Sequence, residues 1–168
     1  VYKRQITGMS ALARYFGNSV VVADVGINAE VRCPAILNRK IRRSTRNLAK
    51  EPALTRQEVL DAMGVGLELA GQAKEEGVQA IGVGEMGIGN TTTSSAVASV
   101  LLGRPVQEMT GRGAGLSDQG LRRKIDAIRR GIVVNRPDAA DPLGVLAALG
   151  GFDIAGLCGV FLGGALEN

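Results

Sequence analysis

The stretch GVGEMGIGNTTT, residues 82–93, crowds four glycines around one carboxylate, one amide and three hydroxyls. From Gly82 it satisfies the dinucleotide spacing G-x-G-x-x-G through Gly84 and Gly87. From Gly84 it satisfies the P-loop spacing through Gly89 and Thr91, with Asn90 where the lysine belongs. A P-loop lysine neutralises the outer phosphates of a nucleoside triphosphate, and Asn90 supplies no charge. The general part survives: glycines let backbone amides approach an anion, and a helix beginning at Thr91 presents free N–H groups and a positive dipole end. With the hydroxyls of Thr91, Thr92 and Thr93, this suits a monophosphate better than a triphosphate.

Two residues give the cradle chemistry. Lys124 offers a point charge for a phosphate, against the plainer reading of an exposed helical lysine. A phosphate repels Glu85, so Glu85 is expected to face ribose hydroxyls or a ring nitrogen that gains or loses a proton. The plainer alternative pairs Glu85 with Arg112, and the plainer reading of the glycines is turn geometry alone. An NAD(P)-dependent oxidoreductase would use Glu108 for the ribose, but its third glycine should open the helix, and Ile88-Gly89-Asn90 intervenes.

These residues need positioning elements. Residues 6–16 can form a helix, and SVVVADV at 19–25 reads as a strand covered on both faces, ending at Asp24. Residues 26–54 read as a long loop. Thr55-Arg-Gln-Glu58 is a capping box opening an amphipathic helix that Gly77 closes, and 78–83 reads as a second buried strand. Strand, helix, strand at this spacing is a right-handed crossover, which places the glycine loop at a strand's carboxyl end. Residues 106–109 read as a short strand, followed by GRGAG at 111–115. Ser117 or Asp118 then caps a helix striped by Leu121, Ile125, Ile128 and Ile132. Lys124 lies roughly 70° from that stripe's centre, at its boundary. Asp141-Pro142 starts a short helix, and Asp153 starts an apolar one whose Gly156, Gly159 and Gly163 permit close backbone packing. The expected class is α/β, a three-layer sandwich with a largely parallel sheet and a Rossmann-like core, in one domain over 1–168.

Composition narrows the chemistry. The 168 residues contain no histidine, which removes Ser/His/Asp and Cys/His machinery and His-containing metal sites from this chain. Cys33 and Cys158 have no metal spacing and read as buried thiols of a reducing, cytoplasmic setting. The apolar run at 154–166 is short of the roughly 20 residues that span a bilayer, and no signal peptide is recognisable. Basic residues cluster at 39–46 and 122–130. A polyanion-binding module is the alternative these clusters raise, although three Phe and two Tyr leave few stacking platforms for nucleic acid.

Taken in order, DVGINAE, RRSTRNLAKEPALT, GVGEMGIGNTTTSSA, TGRGAGLSDQGLRRKIDAI and DPLGVLAALGGFDIAGLCGVFLGGA resemble the nicotinate-nucleotide:dimethylbenzimidazole phosphoribosyltransferase family from about Ile6 onward. VYKRQ at 1–5 carries no such likeness. The resemblance implies transfer of 5-phosphoribose from nicotinate mononucleotide to 5,6-dimethylbenzimidazole, with inversion, giving alpha-ribazole 5'-phosphate for the lower ligand of cobalamin. It implies no cofactor, no metal, small-molecule partners and a homodimer in the full-length family. It places Glu85 at the ribose as the catalytic carboxylate of this chain. By the same likeness Gly84, Met86, Gly87, Gly89, Asn90, Thr91 and Gly113 would line the nucleotide pocket, and Lys124 would meet the phosphate. Family chains are about twice this long, so the expectation is a central portion without the early benzimidazole-holding segments and without the C-terminal glutamate regarded as the base.

Overall fold

The computed structural model describes residues 8–166. Seven helices and two short strands follow in the order α1 (Gly8–Phe16), β1 (Ala23–Asp24), β2 (Leu37–Asn38), α2 (Arg56–Glu75), α3 (Thr91–Leu101), α4 (Val106–Met109), α5 (Asp118–Asn135), α6 (Pro142–Leu149) and α7 (Phe152–Leu166). β1 and β2 pair in parallel, Ala23 with Leu37 and Asp24 with Asn38. The class is α/β, as the sequence leads one to expect. The expected helix at 6–16 is seen from Gly8; Ile6 and Thr7 lie outside the described residues.

The sheet differs from expectation in its extent. Of SVVVADV only Ala23 and Asp24 pair, and Val20, Val21 and Val22 are exposed. Residues 78–83 form no ladder, and Val78 and Ile81 are exposed. The partner strand β2 instead comes from the segment read as loop. An apolar run records that a strand is suited to burial, but a ladder also needs a neighbour, and the described residues bring none to 78–83. Residues 106–109, read as a strand, are the helical turn α4. Pro105 supplies a fixed φ of −55° before it, and Thr110 returns its hydroxyl to the Val106 carbonyl at 2.6 Å.

The helices follow their end signals. Thr55 and Glu58 make the reciprocal capping box of α2, Ser117 caps α5 through the Gly120 N–H, and Asp141 caps α6 through the Gly144 N–H. α2 packs along α7 with almost no side chain between the backbones. A Cβ on Gly159 would lie 2.0 Å from the Met63 carbonyl oxygen, and one on Gly66 2.0 Å from that of Gly156. The core joins Leu54 and Val59 to Ala96, Ile128, Val145, Leu149, Phe152 and Ala155. Ala53 and Leu54 also donate backbone N–H groups to the carbonyls of Ala148 and Ala147, tying the segment before α2 to the end of α6.

The basic segment 39–46 serves this frame. Lys40 pairs with buried Asp24 at 2.6 Å, Arg39 with Glu68 at 2.7 Å, and Arg42 and Arg46 with Glu58 at 2.7 and 3.0 Å. Arg43 pairs with Glu30. Asp24 also accepts from the N–H groups of Gly26 and Ile27, so it acts as a loop cap and counter-ion. Burial alone would raise the Glu58 carboxyl, but the Thr55 N–H and the two guanidiniums outweigh it and hold it down at about 2. Cys33 and Cys158 are free thiols, half-buried rather than buried, and burial pushes the Cys158 thiol up.

Candidate functional site

Between residue 83 and α3 the chain turns twice through left-handed backbone, at Gly87 (φ 72°) and Gly89 (φ 81°). A side chain at either position would meet its own backbone, so these two glycines are required by the turn itself. α3 then begins at Thr91, not at Gly87, as the intervening Ile88-Gly89-Asn90 implied. Glu108, the acidic residue a dinucleotide site would use, is engaged by Arg104 at 2.6 Å on the neighbouring turn.

The second glycine loop closes over the start of α3. Gly113 (φ 57°) sits so that an added Cβ would lie 2.9 Å from Thr91 Oγ1 and 3.7 Å from Lys124 Nζ. Lys124 reaches in from α5, which packs on α3. It is 8% exposed, so it is neither the boundary residue that the helical angle suggested nor an exposed lysine. The stripe shifts because small residues carry part of the buried face: Gly120, Lys124, Ile128 and Gly131 are buried, while Leu121, Ile125 and Ile132 are half-buried. Lys124 Nζ donates to Thr91 Oγ1 at 2.8 Å and to the Gly111 carbonyl at 3.1 Å. Among the described residues no carboxylate pairs with it. Burial therefore pulls its pKa below the usual lysine value. A buried ammonium with two neutral acceptors and no counter-charge, beside a helix N-terminus, favours an anion arriving from outside.

Glu85 is exposed and does not pair with Arg112, which instead holds Asp118 and the Leu116 carbonyl. One Glu85 oxygen accepts from the Gly87 N–H and from the Asn90 side-chain amide. Gly84, Met86 and Ile88 are exposed around it, and Gly87 is half-buried. The same Asn90 nitrogen donates to Asp153 Oδ2 at 2.6 Å. Asn90 stands at the N-cap position of α3 yet makes no side-chain cap bond; Thr93 and Ser94 hydroxyls donate to its carbonyl instead. Its Oδ1 is buried without a partner, an arrangement that costs about 1–3 kcal/mol. Asp153, read from sequence only as the start of a helix, is thus brought to the site from 63 residues away. No local spacing signals that contact. The expected site residues accordingly fall into two neighbouring groups, Thr91 with Gly113 and Lys124, and Glu85 with Met86, Gly87, Gly89 and Asn90.

Fold and site together define an α/β protein with a glycine loop ahead of a helix N-terminus, a buried lysine hydrogen-bonded to the first residue of that helix, and an exposed carboxylate, Glu85, in the loop itself. The chain belongs to the phosphoribosyltransferase family described by the model DBI_PRT, which matches residues 2–168 and so starts ahead of the motif likeness near Ile6. It is 51% identical over 164 residues to the nicotinate-nucleotide--dimethylbenzimidazole phosphoribosyltransferase of Ruminiclostridium cellulolyticum, covering 98% of this chain and 47% of that protein. A relative of the same name from Acetivibrio thermocellus is 48% identical with the same coverage. Among solved structures, CobT from Thermus thermophilus superposes with a TM-score of 0.90 at 37% identity, over 98% of this chain and 50% of that one. The chain spans about half the length of the curated relatives it matches.

Proposed function

We propose that this chain carries the nucleotide-binding part of a phosphoribosyltransferase that moves 5-phosphoribose from nicotinate mononucleotide to 5,6-dimethylbenzimidazole, giving alpha-ribazole 5'-phosphate for the lower ligand of cobalamin. The observation that carries this reading is Lys124, buried against Thr91 and Gly113 with no carboxylate partner among the described residues. A phosphate monoester there would accept from Nζ, from the first N–H groups of α3 and from the Thr91 hydroxyl. The sugar would then extend toward Glu85, with Gly84, Met86, Gly87, Gly89 and Asn90 forming the wall. In the transfer, a nitrogen of the incoming base bonds to the anomeric carbon as the C–N bond to nicotinate breaks, and the other ring nitrogen of the base then releases its proton to solvent. The leaving nicotinate takes the bonding electrons, and the ring oxygen shares the developing positive charge. Glu85 would stabilise that charge and hold ribose hydroxyls.

A cytoplasmic setting and a homodimer belong to the same reading, supported by the two free thiols and by apolar side chains such as Phe161 and Leu162 left exposed on α7. Among the described residues no helix is long and apolar enough to cross a membrane. The test is calorimetric titration of the chain with nicotinate mononucleotide, NADH and a short DNA duplex. Saturable binding of the mononucleotide, displaced by inorganic phosphate, is expected. Binding of NADH with no heat from the mononucleotide would overturn the reading.

A further inference from the structure

Asp153 belongs to α7, the helix that packs backbone to backbone on α2 through Gly159 and Gly66. It lies in the first turn, where a carboxylate is favoured by the helix dipole. One of its oxygens occupies the space beside Gly151 that a side chain there would need, since an added Cβ would lie 2.4 Å from Oδ1. The other, Oδ2, accepts from the Asn90 amide at 2.6 Å. The carboxylate therefore stands on the most closely packed helix pair of the fold and meets the Asn90 amide through Oδ2.

Asn90 is the only connection between this fixed point and the exposed glycine loop among the hydrogen bonds of the described residues. It gives up the side-chain cap of α3, leaves its own Oδ1 buried without a partner, and turns its nitrogen to both carboxylates. Capping alone would aim the oxygen, not the nitrogen, at the helix N–H groups. The arrangement makes sense if the Glu85 carboxylate, otherwise held on its exposed loop only by the Gly87 N–H, has to be tied to the packed frame.

We propose that Asp153 is a positioning residue. Through the Asn90 amide it fixes the Glu85 carboxylate, and so sets where the ribose of the bound mononucleotide can lie. The inference rests on the function proposed above for its ligand, but its geometry can be read without one.

The experiment is a mutant cycle on the 168-residue chain with Asp153→Ala, Asp153→Asn, Asn90→Ala and the double variant Asp153→Ala/Asn90→Ala. Nicotinate mononucleotide affinity is measured by calorimetry, and thermal unfolding is followed in parallel. Asp153→Ala is expected to weaken binding about 5- to 20-fold in the wild-type background and less than about twofold when Asn90 is already Ala. Asp153→Asn, whose carbonyl still accepts from Asn90, should recover part of the loss. An equal loss in both backgrounds, or wild-type affinity in Asp153→Ala, would overturn the proposal. If the wild-type chain binds no mononucleotide, it is the functional reading that fails. The positioning is then decided by NMR of the ligand-free chain. Asp153→Ala must shift both the Asn90 side-chain amide and the Gly87 N–H, which share the Glu85 oxygen; an unmoved Gly87 signal in a folded variant refutes it.

Discussion

Replacing Lys124 with Met keeps the length of the side chain and removes its charge. The ammonium donates to Thr91 Oγ1 and Gly111 O, lies 8% exposed and has no carboxylate partner among the described residues. In the free protein, two lost hydrogen bonds are offset by relief of a buried, unneutralised charge, so unfolding stability near neutral pH should change by less than about 1 kcal/mol. With a phosphate in place the balance differs, because a charge-assisted hydrogen bond contributes about 1.5–3 kcal/mol, or roughly 10- to 150-fold in affinity. Calorimetry should show Lys124→Met losing that factor for nicotinate mononucleotide. The pH dependence gives a second measure. Burial lowers the Lys124 pKa below the ordinary 10.5, so above the lowered value the unfolded chain binds more protons than the folded one. The stability contribution of this residue then rises with pH from its lowered pKa up to about 10.5, and Lys124→Met should lack that rise. Affinity within about twofold of wild type in a variant of normal stability would refute the phosphate role.

Two further outcomes follow from the frame. The Glu58 pKa falls from 4.5 to about 2, which corresponds to about 3 kcal/mol of stability. That contribution is present above pH 4.5 and lost as pH falls toward 2. Glu58→Gln should be destabilised near neutral pH by up to that amount and show a flatter acid limb in urea unfolding; an unchanged acid limb would count against the Arg42–Glu58–Arg46 network. Gly159→Ala sets a Cβ 2.0 Å from the Met63 carbonyl oxygen and should cost about 3 kcal/mol or more. Gly64→Ala, in the same helix pair with no atom within 4 Å of its Cβ, should stabilise by up to about 1 kcal/mol. Equal effects from the two would contradict the close α2–α7 contact.

Local signals were legible in the sequence because their causes lie within a few residues. The Thr55–Glu58 box, the Ser117 and Asp141 caps and the start of α3 at Thr91 all involve neighbours in the chain. The same holds for the ordered motifs that pointed to the family. Pairing was not legible. The run at 78–83 has strand composition, yet its state depends on a neighbour that its own residues do not specify, and β2 formed where no period announced a strand.

Residue types and spacing therefore determined that these 168 residues carry a glycine loop followed by hydroxyls at a helix start, no histidine and a carboxylate at Glu85. Tertiary structure decided what surrounds those groups. It buried Lys124 with no carboxylate partner among the described residues, spent the basic segment at 39–46 on internal ion pairs rather than an open cationic face, and carried Asp153 across 63 residues to Asn90. Burial and long-range contact arise from how helices stack, and a helix presents the same sequence whichever neighbour covers it.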